Sequence, residues 1–490
     1  MKRYIYIVLI LLSLASCVDL VEVPDSNQTT TQFYRNESDA AASVNAIYTG
    51  LNASGQTLYN SLFQIGVEMA TDDYEAGPRA RNAHVRAISA LTHDPSNDRM
   101  QQLWKQSYDL INRANIAIDR ITLINSANIT DKVRPRTINE AKFLRALNYF
   151  NLVRWFGDVP IILHETTSLA PEALQVKQSP ADSVYALIVR DLKDAENLPT
   201  PLEYTSSDAG RASSGSAKSL LSKVYLTHKD WNLAAKKSQE VIDSKWYDLF
   251  DDFADVFNVA TKNGKEHIFS AQFKGNFNFV GNSLASRAAP TEPPGINGDY
   301  ADALHVAGGL YASYSSTDKR RDITFVSQMV SPTDGKTYKF TPPHLHKYYD
   351  QSVVGNQGQS SKNLPIIRYA EVLLIYAEAK SEANNGPTDS AFWAIDKVRT
   401  RAGIPKLIDT YPGLTTDQFR DTVFQERRKE LVFEYQRWFD IARRGADYYV
   451  KTLKAAGKTN AAPRHIYFPI PQREIDLNPN LKQNPVWVNY

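Results

Sequence analysis

Residues 424–445, FQERRKELVFEYQRWFDIARRG, constrain the fold of this chain more tightly than any other stretch, because two patterns are superimposed in them. Phe424, Leu431, Val432, Tyr435, Trp438, Phe439 and Ala442 recur at steps of three and four, which predicts a helix with one broad apolar stripe buried against the rest of the molecule. Thr415 and Gln418 form a capping-box pair ahead of it, and Gly445 can take a positive φ behind its end. Around the stripe, Glu430 and Glu434 lie within a turn of Arg427, Arg437 and Trp438, and Asp440 lies within a turn of Arg443 and Arg444. On a solvated helix face such pairs would contribute only about 0.2–0.5 kcal/mol each. Arg428 argues for a different arrangement, since it falls on the apolar stripe, where a guanidinium without a carboxylate or carbonyl partner is strongly destabilising. The expectation is a structural ion-pair network that fixes helix docking, not a catalytic cluster.

The amino terminus carries a second constraint. Lys2 and Arg3 precede an unbroken apolar run over residues 4–12, too short to span a bilayer but suited to the hydrophobic region of a secretory signal. Leu14-Ala-Ser-Cys17 follows and resembles a bacterial lipobox, in which small residues admit the lipoprotein signal peptidase and the thiol receives diacylglycerol. The alternative is an ordinary signal peptide that contains a cysteine. Cys17 is the only cysteine among 490 residues, so an exported chain at liberty to form disulfides makes none, which favours the lipid reading. Two or three acyl chains at ~0.8 kcal/mol per buried methylene would make attachment permanent, with the polar run over residues 23–32 as a tether. Lys2 and Arg3 also account for the formal charge of +2, leaving the remainder neutral and without the basic footprint of a nucleic-acid binder.

Along the chain, helical spacing is read over residues 39–51, from 98 past 123, over 137–155 (stopped by Gly157 and Pro160), and from Ser179-Pro180 onward, with Ser as cap and Pro at the first helical position. Residues 55–95 lose periodicity and read as a long loop of the kind that is usually functional. Residues 217–242 fit a tetratricopeptide helix-turn-helix, with Leu221, Ser222, Tyr225, Asp230, Trp231 and Ala234 at the large, small, aromatic and turn positions. Residues 370–402 form a looser version with a turn at Asn385-Gly386-Pro387. Between 245 and 365 Gly, Asn, Ser, Pro and Tyr dominate, with short strand-like runs such as residues 268–273. The fold class expected is mainly α, a tetratricopeptide-like scaffold of helical pairs with a large irregular, partly β excursion.

Several segments together resemble one family. Glu426-Arg-Arg-Lys-Glu-Leu-Val-Phe-Glu434, Arg437-Trp-Phe-Asp440 and Arg443-Arg-Gly445 resemble the late helix of SusD/RagB-like proteins, the nutrient-binding surface lipoproteins of Bacteroidetes-type bacteria. Pro469-Ile-Pro471, Glu474-Ile-Asp-Leu-Asn478 and Asn480-Leu-Lys-Gln-Asn-Pro485 look like the family's carboxy-terminal signature. Arg368-Tyr-Ala-Glu371 through Tyr376-Ala-Glu378, and Phe143-Leu-Arg-Ala146 through Tyr149 to Gly157-Asp-Val-Pro160, look like two more. The resemblance implies a signal peptide over 1–16, a lipid-anchored tether over 17–35 and one SusD-like domain over 36–490. Within that domain the helical scaffold is expected at 36–244 and 366–490, and the ligand-facing excursion at 245–365. It further implies an outer-membrane protein, facing the cell exterior, that binds a polysaccharide or oligosaccharide and delivers it to a SusC-like TonB-dependent transporter. The same scaffold binding peptides or another nutrient is the alternative.

No HExxH, GxSxG or GxxxxGK[ST] occurs and no cysteine follows Cys17, so no catalytic residue, metal ligand set or cofactor is read here. His344 and His346 read as surface residues, lacking a third ligand. A surface glycoside hydrolase would need two carboxylates facing each other across about 5–9.5 Å, and adjacent Asp72 and Asp73 diverge. Asp72, Asp73 and Tyr74, with Arg79 and Arg81, suit binding instead: carboxylates and guanidiniums offer paired hydrogen bonds to sugar hydroxyls, and a Tyr ring covers a pyranose face. In SusD-like proteins the loop after the first helix lines the ligand site, so the resemblance implies these positions; a turn with local Asx hydrogen bonds is the alternative. Tyr300, Tyr311, Tyr314 and Tyr338 are further binding candidates, with simple packing the other possibility. All seven tryptophans lie outside residues 247–392, so any stacking platform in the excursion is Tyr or Phe.

Overall fold

The structure, a computed structural model, describes residues 33–52, 57–276, 280–290, 292–296, 298, 300–353 and 359–489. Cys17 and the signal and tether segments read from the sequence lie outside the described residues. Helix α1 (Glu37–Asn52) packs on α3 (Asp98–Leu123) and α4 (Val133–Phe156). α4 is central because apolar residues occupy every face of its second half: each residue from 143 to 156 except Arg154 is buried. Arg145 is the charged member of that buried run, and its guanidinium donates to both carboxylate oxygens of Asp191 at 2.7 and 3.0 Å and to Asn115 Oδ1 at 2.9 Å, tying α3 and α4 to α5 (Ala181–Ala195).

α4 ends at Gly157, whose φ of +73° only glycine adopts without strain. Its last carbonyls are taken by the carboxy-terminal signature and the residue just before it: Phe468 N–H donates to Trp155 O at 2.7 Å and Asn484 Nδ2 to Phe156 O at 3.1 Å. Two segments that carried the resemblance, more than 300 residues apart, therefore close one helix end. Strands β2 (Val159–Pro160) and β3 (Gln178–Ser179) pair antiparallel just beyond. This corrects the expected cap of α5, because Ser179 belongs to β3 and the Ala181 N–H is accepted by Asp158 Oδ1 at 2.8 Å.

The helical pairs follow as expected. α6 (Ser214–His228) carries a Ser213/Ser216 capping box and turns through left-handed Lys229 into α7 (Trp231–Ser244). α8 (Tyr369–Ala383) and α9 (Asp389–Arg401), capped by Thr388, form the second pair, and α7 packs on α8, so the pairs stack on one another. Residues 55–95 are not the open loop that was expected. Where described they are mostly short helical turns, Leu58–Leu62, Phe63–Gly66 and Glu68–Ala70, then β1 (Tyr74–Ala76) and α2 (Ala83–Ser89), and the first three turns are buried throughout. Short turns escape periodicity because none completes an amphipathic repeat. In the excursion, β4 (His267–Ala271) pairs with β8 (Leu364–Arg368), β5 (Ala301–Ala303) with β1, and β6 (Phe325–Val330) with β7 (Thr337–Leu345), all antiparallel.

The opening stretch is also corrected. The Thr415/Gln418 capping box forms and starts α10 (Thr416–Glu430), but the helix stops there and α11 (Arg437–Arg443) begins after a break at residues 431–436. Phe433 and Tyr435 take φ of +58° and +62°, a conformation that disfavours side chains this bulky by about 1–3 kcal/mol each. Burial and polar contacts offset it: Phe433 packs on Tyr74 at 5.0 Å and Tyr435 on Phe63 at 5.3 Å. The carbonyls left by the break meet cations, with Arg368 Nη2 donating to Glu430 O at 2.6 Å and Lys347 Nζ to Val432 O at 2.7 Å.

Those cations belong to the network that Arg428 led us to expect, although its partners come from afar. Arg368 donates to Glu434 at 2.7 and 2.9 Å, to Glu266 at 2.7 Å and to Glu430. Arg401 bridges Glu266 and Glu430, and Arg320 bridges Asp318, Glu426 and Glu430. With Lys347 and Arg399 included, five cations face five carboxylates, so the buried cluster is neutral. A second group joins Arg427 to Asp440 at 2.8 Å and Glu371 at 3.2 Å, and Arg443 to Glu378 and Asp440. Arg368, Glu371 and Glu378, which carried the resemblance, thus hold α8 against α10 and α11.

Candidate functional site

The sequence-derived site residues separate into two sets. Asp72, Asp73, Tyr74 and Tyr314 lie in the interior, at 3, 1, 2 and 6 % exposure. Asp72 accepts both arms of Arg437, from Nε at 2.8 Å and Nη2 at 2.7 Å, and Arg428 Nη2 lies 3.2 Å away. Asp73 accepts from Arg428 Nε at 2.8 Å and lies 3.6 Å from Arg437. Arg428 therefore has the carboxylate partner its position requires, and Asp72 and Asp73 are closed to an external ligand. Burial alone would raise the Asp72 pKa, but Arg437 and then Arg428 outweigh it and hold it at about 2. Tyr74 accepts from Gln64 Nε2 at 2.6 Å, and Tyr314 donates to Lys429 O at 2.8 Å.

Arg79, Arg81, Tyr300, Tyr311 and Tyr338 reach the surface, and the short β1–β5 pairing brings the first three together. Gly77 N–H donates to Tyr300 O at 2.9 Å, so the 77–82 turn carrying both arginines sits against Tyr300. That turn is braced by Arg86 Nη2, 3.3 Å from the carbonyls of both Gly77 and Pro78, and Asn82 caps α2 behind it. The Tyr300 ring lies over the Arg287 guanidinium at 5.3 Å, and Tyr300 N–H donates to Arg287 O at 3.1 Å. One ring face is thereby fixed by a cation, a geometry that holds a platform still without consuming its hydroxyl.

From there contacts continue along the excursion. Asp302, paired across the sheet with Glu75, lies 3.3 Å from His344 Nε2 and 3.9 Å from His305 Nε2. His305 and Tyr311 both meet the Phe325 ring, at 6.4 and 5.2 Å. Tyr338 stands apart near the hairpin turn, donating to Asp334 Oδ2 at 2.9 Å over a small core of Ala289, Ile296, Met329 and Phe340. His344 is buried, contrary to its reading as a surface residue, and His346 stacks on Tyr349 at 5.0 Å. Burial and then Lys362 depress the His346 pKa to about 4, so it is neutral at physiological pH. Arg287 and Asp302 were missed in the sequence because each is a lone charge in a short alanine-flanked segment without periodicity; only the tertiary contacts give them a role.

Comparison with known proteins agrees with this architecture. Residues 308–487 match the model of the SusD family, and residues 20–226 match a model described as starch-binding associating with outer membrane. SusD-like protein P2 of Formosa agariphila is 30% identical over 99% of both chains. Among solved structures, a SusD homolog from Bacteroides thetaiotaomicron superposes with a TM-score of 0.79 at 26% identity, covering 94% of this chain and 98% of its own. A laminarin binding SusD-like protein superposes at 0.76 and 26% identity, over 92% of this chain and all of its own. The chain belongs to the SusD family and shares its association with the outer membrane.

Proposed function

We propose that the protein is a cell-surface lipoprotein, anchored through Cys17, that binds a glycan or oligosaccharide and hands it to a TonB-dependent outer-membrane transporter. The observation that carries the binding half is the surface formed by Arg79, Arg81 and the Arg287-backed Tyr300, two guanidiniums beside an immobilised aromatic ring. Guanidiniums hydrogen-bond sugar hydroxyls and the ring face covers C–H groups, a combination that recognises a saccharide without reacting with it. Tyr311, at the far end of the contact chain, extends the surface toward further units. The laminarin-binding relative supports the ligand class, and the Leu14-Ala-Ser-Cys17 segment supports the anchor.

Calorimetry with laminarin, starch, xylan and mannan, beside a peptide panel, tests the ligand class. A saccharide should bind, and Tyr300→Ala or the Arg79→Ala/Arg81→Ala pair should weaken it at least tenfold without lowering the melting temperature. Heat from peptides alone would replace the glycan reading. Radiolabelled palmitate should enter the wild type and not Cys17→Ala, and mild-detergent purification should recover a large β-barrel partner; its absence would remove the delivery step.

A further inference from the structure

A groove of about 770 Å3 runs between α9 and residues 248–251, on elements that share nothing with the Tyr300 surface. Its volume lies within the roughly 300–1,000 Å3 typical of ligand clefts. One wall is a helical stripe: Asp389, Trp393, Lys397 and Thr400 follow one another at steps of four, four and three, so all four side chains face the same way. All four are exposed. Trp393 is 41 % exposed and is the tryptophan most open to solvent among the described residues. A large indole left in water on a rigid helix, beside an open groove, is unusual for a residue with only a packing role. Lys397 Nζ lies over its ring, 5.8 Å from the centre.

The opposite wall offers the Phe250 ring and the exposed carboxylates of Asp248 and Asp251, each engaged through one oxygen, Asp248 Oδ1 by the Leu249 N–H at 2.8 Å and Asp251 Oδ1 by Lys265 Nζ at 3.2 Å. Two further charged groups at the floor are already engaged. Asp396 accepts the backbone N–H groups of Leu407 and Ile408, and Arg401 is held by Glu266 and Glu430. What faces the groove is therefore a flat apolar indole ringed by mixed-sign hydrogen-bonding groups, three carboxylates against Lys397 and Lys406. A phosphate or polyanion would meet too many carboxylates, and a purely apolar ligand would leave them unsolvated. A neutral sugar ring matches both, its C–H face on the indole and its hydroxyls toward Asp389, Lys397 and Thr400.

We propose that this groove is a second saccharide-binding site, in which Trp393 stacks on a neutral pyranose. The proposal rests on the glycan-binding function given above and deepens it: one polysaccharide chain held at two separate points gains avidity that neither point has alone.

The experiment uses the full mature chain with laminarin, starch, xylan and mannan in affinity gels, and with the trisaccharide of the retained polymer in calorimetry. The wild type should bind two trisaccharides, Trp393→Ala one and Tyr300→Ala one, and Trp393→Ala should weaken polymer retention about tenfold. Trp393→Phe, which keeps a flat ring, should recover most of that loss, and the unchanged melting temperature of each variant excludes misfolding. Two trisaccharides bound by Trp393→Ala, with retention unaltered, overturns the groove site while leaving the proposed function standing. One site lost in Trp393→Ala and none in Tyr300→Ala supports the groove and moves the primary site elsewhere. No polymer retained by the wild type overturns both.

Discussion

Replacing Asp72 by Asn separates the two roles its position could have. The carboxylate takes two bonds from Arg437, at 2.8 and 2.7 Å, and lies 3.2 Å from Arg428. With a folded pKa of about 2 against an ordinary 3.8, its ionisation contributes stability that is complete above 3.8 and is lost as pH falls through 2. At 1.36 kcal/mol per pH unit that contribution is on the order of a few kcal/mol, and it shrinks as pH falls below 3.8. Asn keeps one acceptor for Arg437 but leaves a buried guanidinium without its full counter-charge, so the loss should sit near the lower end of the range for a broken buried pair, about 3 kcal/mol. An unfolding entropy of about 1 kcal/mol/K for a chain of this size converts that to a drop of about 3 °C in melting temperature. Scanning calorimetry at pH 7 and pH 3 should show the deficit and its narrowing in acid, and saccharide affinity should stay within twofold of wild type. A variant that melts with the wild type and loses tenfold or more in affinity would refute the reasoning and return Asp72 to the binding surface.

Arg368 is the hub of the larger network, and Arg368→Met should destabilise by about 4 kcal/mol because Glu266, Glu430 and Glu434 lose a shared buried partner. Adding Glu434→Gln should recover part of the loss in denaturant titration; a deeper loss would mean that Lys347 depends on that carboxylate more than Arg368 does. Glu68, 1 % exposed, has its pKa pushed by burial, and secondarily by Asp73, to about 8. A raised carboxyl pKa gives stability that is full below 4.5 and is lost as pH rises to 8, at about 1.36 kcal/mol per unit. Glu68→Gln, locked neutral, should therefore match the wild type near pH 4.5 and exceed it by a few kcal/mol at pH 8; parallel stability curves would count against a neutral Glu68.

What this sequence determined by itself is local. The Thr415/Gln418 box, the stop at Gly157, the helical pair around Lys229 and Asp230, and the apolar spacing of α3 and α4 are each written within a few residues, because caps and periodicity act over one or two turns. The requirement that Arg428 have a carboxylate was legible too, from its place on an apolar stripe. Which carboxylate was not, since Asp73 is 355 positions away and local i,i+4 spacing pointed to neighbours. The same long-range choice withdrew Asp72 and Asp73 from the candidate site and broke the expected helix at residues 431–436, where packing of Phe433 and Tyr435 and the cations Arg368 and Lys347 outweigh propensity. It also left Trp393 beside an open groove, a property of how α9 meets residues 248–251 and of nothing in either segment alone. Helices follow from spacing because their bonds are internal; ion pairs and binding surfaces wait for the tertiary fold because burial sets their energy, and burial is decided by segments far apart in the chain.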